Sequence, residues 1–126
     1  MSGRITTHVL DLSVGGPAAG VAIELWFFGE LGGIDAARDP LLLGTFVTNR
    51  DGRVDRPLLE GDAMKPGVYE LAFAAGDYFR SGNGSRLLPE LLFDRIPIRF
   101  RLRDCRSHYH VPLLVAPGGY STYRGS

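Results

Sequence analysis

Cysteine is almost missing from this chain of 126 residues: Cys105 stands alone. A single thiol excludes an internal disulfide framework and a paired-cysteine redox motif. Lysine is as scarce. Of the 14 basic residues only Lys65 is not an arginine, and 14 acidic residues cancel them to a net charge of zero. No global field therefore draws the chain to nucleic acid or to an anionic bilayer. No apolar run approaches the roughly 20 residues of a membrane-spanning helix. Met1 to His8 lacks the apolar stretch of about 7–15 residues that a secretory signal needs, so a cytoplasmic protein is expected. No glycine-rich phosphate loop precedes a helix, and no glycine-flanked serine is present. Nucleotide binding and acyl-enzyme chemistry thus have no carrier. Repeats and linkers are missing too, and residues 1–126 read as one domain.

What is present is glycine, 17 residues of it, with 8 prolines and a hydrophobic content of 44%. The hydrophobic residues recur with period two. In Val21 to Phe27 the odd positions are large and apolar; in Ile96 to Leu102 the even ones are. Such alternation marks strands with one face on a core and one outward. Val68 to Ala74 reads as a strand entered through the turn Lys65-Pro66-Gly67. Leu41 to Thr48 reads as another, ending in the turn Asn49-Arg50-Asp51-Gly52, where Gly52 supplies a positive φ. Short strands separated by Gly, Pro, Asn and Asp clusters indicate an all-β antiparallel sandwich. One segment departs from the pattern: a short helix is expected to begin at Asp77-Tyr78-Phe79-Arg80 and to stop at Gly82-Asn83-Gly84. Gly29 to Asp39 and Ser81 to Leu88 are expected to be loops. Arg99, Arg101 and Arg103 alternate on one strand face, which without interleaved aromatics reads as a solvated or interface face.

The chain has three histidines. On a strand, residues i and i+2 share a face. His108 and His110 therefore point one way, and Tyr109, Val111, Leu113 and Val115 the other. If the second face is core, both imidazoles look toward solvent or a partner subunit. Pro112 cannot donate to a ladder and favours an edge or a bulge. His8 is expected in a first strand beside Thr6 and Thr7. Taken singly, His108 reads as a surface or structural residue. Asp51 is expected to shape its turn through an Asx-type bond, and Asp11 to be structural. Arg53, just after the turn, offers a fixed fork of donors that stays charged at any relevant pH. A His-x-His pair with a third histidine also has the ligand count of a zinc site.

The segments carrying these residues resemble, in order and spacing, the 5-hydroxyisourate hydrolases of the transthyretin-like family. The resemblance runs through Thr7-His8-Val9-Leu10-Asp11, Pro17 to Val21, Thr48-Asn49, Asp51-Gly52-Arg53, Tyr69-Glu70-Leu71 and Gly76 to Phe79. It continues through Ile96 to Phe100 and His108 to Leu114, and closes on Tyr123-Arg124-Gly125-Ser126. Within the family, His8, Arg53, His110 and the terminal Tyr123 to Ser126 mark the enzyme branch. A carrier of a small aromatic ligand, like transthyretin itself, is the alternative and would not need them.

The resemblance implies a transthyretin-like (prealbumin-like) sandwich of about eight strands with one short helix. It implies a homotetramer, a dimer of dimers, with active sites where dimers meet. The implied reaction is hydrolysis of the N1–C6 lactam of 5-hydroxyisourate, without metal or cofactor. His8 and His110 would activate water and serve it or the leaving nitrogen, in an order the sequence leaves open. Arg53 would hold the oxyanion. Tyr123 would bind the ring, and Ser126 would complete the hydrogen bonds around the histidines.

Overall fold

In a computed structural model, residues 3–31, 39–81 and 91–125 are described. The expected helix stop at Gly82 to Gly84, Ser126, and most of the two expected loops lie outside them. Among the described residues no helix is long and apolar enough to cross a membrane.

The alternating segments pair as their patterns dictate. Strands β4 (Ala22–Phe27), β5 (Leu41–Val47), β7 (Gly67–Ala74) and β8 (Arg95–Leu102) form one antiparallel sheet in the order β5-β4-β7-β8. Its register aligns Phe46, Ile23, Phe73 and Ile96 in a single row across all four strands. All four side chains are buried, as period two requires. The arginines of β8 face outward; Arg99 pairs with Glu70 on the adjacent β7, and Arg95 reaches past β7 to Glu24 on β4.

The opposing layer is made of two short sheets that share two lengths of chain. One has the order β6-β1-β9, from β1 (Arg4–Thr6), β6 (Leu59–Glu60) and β9 (His108–His110). The other has the order β11-β10-β2-β3, from β2 (Val9–Asp11), β3 (Gly16–Pro17), β10 (Leu113–Ala116) and β11 (Gly119–Thr122). The core cluster joins Ile5, Val9, Val111, Leu113 and Val115 of this layer to Ile23, Leu25, Leu71 and Phe73 of the first, closing the sandwich.

Two pairings are parallel, β1 with β9 and β2 with β10, a feature the alternation did not reveal. Both keep one register: Thr6 lies opposite His110, and Val9 opposite Leu113. Between them the named strands stop, so the expected first strand is two pieces and His8 sits in the break. Val111 N–H still donates to Thr6 O and Leu113 N–H to His8 O, both at 2.9 Å. Pro112 therefore faces the other edge, where it has no donor to lose. These breaks, with the two-residue β3 and β6, turn about eight expected strands into eleven segments among the described residues.

The helix α1 spans Ala75–Arg80, starting two residues before the expected Asp77. It buries Tyr78 and Phe79. Tyr78 donates its hydroxyl to Asp11 Oδ2 at 2.7 Å, and Ser13 N–H donates to Asp11 Oδ1. Asp11, 0% exposed, is thus a satisfied structural carboxylate, as the sequence suggested.

Candidate active site

The site is built where the break in β1-β2 meets the turn after β5. His8 and Arg53 form an isolated antiparallel bridge. Beside it Val9 N–H donates to Gly52 O at 2.8 Å, and His8 Nε2 lies 2.9 Å from Asp51 O. A carbonyl oxygen only accepts, so Nε2 carries the hydrogen and Nδ1 keeps its lone pair.

The turn is held by Asn49, and this corrects one expectation. Asn49 Oδ1 accepts the N–H groups of Asp51 and Arg53, and its Nδ2 donates to Asp55. The Asx role belongs to the residue that opens the turn; Asp51 contributes its carbonyl to His8. Gly52 has φ of 75°, as expected. It also lies so close to the β2 backbone that a side chain would strike Val9 O.

On the other side, β1 and β9 bring three polar side chains together. Thr6 Oγ1 lies 2.8 Å from His108 Nε2 and 2.8 Å from His110 Nδ1. The tail closes over this edge. Gly125 N–H donates to His110 O at 2.8 Å, and Arg124 stacks on the Tyr109 ring while Nη2 donates to His108 O.

A cleft of about 380 Å³ opens between the turn and the histidine strand. Arg53, His108, His110, Thr6, Arg4 and Arg56 line it. None of those three arginines has an ion-pair partner among the described residues. Burial, then the charge of Arg53, hold His110 below the ordinary imidazole value; His108 and His8 push it the same way. Burial and Arg53 also lower His8, against the bond to Asp51 O. His108 is lowered by burial, then by Arg4 and Arg124. All three shifts favour the neutral imidazole.

The structure thus brings Arg53 and His110 into one cleft and bridges His8 to Arg53 through the backbone, near enough for its charge to act on His110. His108 and Thr6 join them, and no motif in the sequence places Thr6 there. Only the parallel register sets Thr6 opposite His110, and no local pattern announces that register. Tyr123 is not in this cleft. It is 57% exposed and lines a second groove with Phe100, Tyr109, Val111 and Arg124. Ser126 lies outside the described residues. Among the described residues no three of His, Cys, Asp and Glu converge as a metal-binding set.

The sequence model of the HIUase/Transthyretin family matches residues 5–125. A 5-hydroxyisourate hydrolase of Halalkalibacterium halodurans is 58% identical over 127 residues, covering 100% of both chains. The structure of Klebsiella pneumoniae 5-hydroxyisourate hydrolase superimposes with a TM-score of 0.74 at 35% identity, covering 98% of this chain and 94% of that one. A structure of (S)-allantoin synthase gives a TM-score of 0.87 at 41% identity, covering 99% of this chain; this chain spans 44% of that longer one. On full-length sequence and fold together, the chain belongs to the HIUase/Transthyretin family.

Proposed function

We propose that this chain is a 5-hydroxyisourate hydrolase of urate breakdown. It opens the N1–C6 lactam with water to give 2-oxo-4-hydroxy-4-carboxy-5-ureidoimidazoline. One observation carries the reading: Arg53 and His110 share a cleft in a chain 58% identical, end to end, to a protein of that name.

His110 is the better placed base. Its Nδ1 is engaged by Thr6, and Nε2 makes no hydrogen bond among the described residues. A neutral imidazole with a free nitrogen takes a proton from water at neutral pH. His8 has Nε2 tied to Asp51 O, so its Nδ1 can only accept; it orients the attacking water. Attack puts negative charge on the C6 oxygen, and Arg53, which has no ion-pair partner among the described residues, stabilises it. His110 then returns the proton to N1 as the C6–N1 bond breaks. Nothing in these steps calls for a metal or an organic cofactor.

The proposed assembly is a homotetramer whose sites lie where dimers meet. Among the described residues the outer edges of β8 and β11 are unpaired, and Tyr120 and Tyr123 are exposed. Tyr123 does not reach the cleft in one protomer, so its part in ring binding needs a second one. Ser126 is proposed, on the family resemblance alone, to serve the hydrogen bonds around the histidines. An unpaired Cys105 suits a reducing compartment, in keeping with a cytoplasmic enzyme.

The test is an ultraviolet time course of 5-hydroxyisourate made in situ from urate and urate oxidase. Decay should accelerate in proportion to added protein. A folded protein that leaves the spontaneous decay unchanged would overturn the assignment and favour a carrier of a small aromatic ligand.

A further inference from the structure

Thr6 touches two imidazoles at once. Its oxygen lies 2.8 Å from His110 Nδ1 and 2.8 Å from His108 Nε2. The Thr6 hydroxyl hydrogen has no other acceptor among the described residues. A hydroxyl has one hydrogen to give, and a neutral imidazole has one bare nitrogen and one N–H. Thr6 therefore donates to one ring, and the other ring must donate to Thr6. The two tautomers are locked in opposition. When His110 Nδ1 carries hydrogen, His110 Nε2 is bare and can act as a base. When His108 Nε2 carries it, His110 Nε2 holds a hydrogen and can act as an acid.

We infer that Thr6 and His108 are positioning residues acting through His110, a hydrogen-bonded path that moves a proton from His110 to His108 and back within each turnover. The inference rests on the hydrolase reading above. In the first half, water gives its proton to His110 Nε2 as its oxygen bonds to C6. The Nδ1 hydrogen passes to the Thr6 oxygen, and the Thr6 hydrogen passes to His108 Nε2. His110 is then neutral with a hydrogen on Nε2, and His108 holds the charge. In the second half that hydrogen goes to N1 as the C6–N1 bond breaks. His108 returns its proton through Thr6 to His110 Nδ1, and both tautomers are as they began. One water O–H and the C6–N1 bond break; C6–O and N1–H bonds form. The carboxylic acid produced ionises into solvent at neutral pH.

The surroundings favour parking the charge on His108. His110 is half-buried and faces Arg53 of the turn, with His8 and His108 beside it. His108 also faces cations, Arg4 across β1 and Arg124 of the tail, but it is exposed and its charge is hydrated. Asp55 and Arg56 line the same cleft and cancel one another in net charge.

The experiment compares Thr6→Val, Thr6→Ser, His108→Gln and the Thr6→Val/His108→Gln double variant in the ultraviolet assay across pH. Thr6→Val should lower kcat at least about tenfold with KM little changed. Thr6→Ser, which keeps the hydroxyl, should recover most of that loss. The double variant should be no slower than the worse single one, because both cut the same path. A Thr6→Val protein with unchanged kcat, or losses that multiply in the double variant, would overturn the path. Nitrogen-15 NMR of the imidazoles gives a reading that needs no turnover. Above their titration, His110 Nδ1 and His108 Nε2 in the wild type should be in opposite protonation states. Like states at those two nitrogens would overturn the path even where the hydrolase assay succeeds. Opposite states in a protein that does not accelerate decay would sink the hydrolase reading and leave the coupling standing.

Discussion

His8 and Arg53 face each other across an isolated antiparallel bridge, although 45 positions separate them (53 − 8). The bridge forms where the β1-β2 strand is interrupted, so the residue that interrupts the strand also docks the turn. Val9 N–H on Gly52 O and His8 Nε2 on Asp51 O flank it. The position of the arginine cation is therefore set by main-chain geometry at three successive residues, Asp51 to Arg53.

Gly52 is where that geometry is most fragile. Its φ of 75° is left-handed, and a β-carbon would strike Val9 O and crowd Pro17. Gly52→Ala should cost about 1–2 kcal/mol from the backbone conformation, with the steric clash added. It should also lower kcat by displacing Arg53. Gly15→Ala is the control: φ is 69°, but nothing lies within 4 Å of the added carbon. Urea midpoints and kcat of the two variants separate strain from collision. Gly15→Ala should lose stability and keep activity. Equal effects on kcat would show that close packing at Gly52 does not position the cation.

Arg53→Ala should lower kcat by about 10²–10³-fold, the usual loss for one oxyanion donor. Arg53→Lys should recover only part, because an ammonium lacks the planar fork. The ultraviolet assay at saturating substrate gives the number. Near wild-type turnover in Arg53→Ala would remove the oxyanion role.

Much of this site was legible because strands write their faces with period two. The row Phe46, Ile23, Phe73 and Ile96 and the shared face of His108 and His110 follow from alternation alone. Gly52 was legible because its turn needs a positive φ. What pattern could not supply was register. Thr6 meets His110 only because β1 and β9 run parallel, over 104 residues of separation. The Asx bond was assigned to Asp51 when Asn49 makes it; both carry a suitable oxygen, and only the chain path decides which reaches the right N–H groups. Tyr123 was read with the tail's other residues, yet the strand ends before it and its ring falls on the other groove.

The histidines predict a pH dependence of known sign. All three are held below 6.5, the ordinary value: burial leads in each case, with nearby arginines next. The fold therefore favours their neutral forms. Below that value the unfolded chain binds more protons, so stability falls as pH drops through it and is full above it. Activity should follow the base, with the acid limb of kcat/KM, which reports the free enzyme, lying below the titration of free imidazole. Urea melts and kcat/KM between pH 7.5 and 5 measure both. An acid limb at or above the free-imidazole value would mean that the catalytic imidazole is not the one packed beside Arg53.

Gly125 tests whether the tail is part of the machinery or only a latch. Its N–H bonds His110 O, and an added β-carbon would press on Cδ2 of the His110 ring. That atom adjoins Nε2, the nitrogen assigned to water. Gly125→Ala must push either the ring or the tail aside. Because the tail lies at an exposed edge, the global fold should tolerate the change, with a thermal midpoint within a few degrees of wild type. Catalysis should not tolerate it: a base displaced by about 1 Å costs on the order of 10²-fold. Gly118→Ala, with nothing within 4 Å of the added carbon, should leave kcat unchanged. If Gly125→Ala also keeps full turnover, His110 either moves without consequence or is held by Thr6 alone, and the tail is a latch.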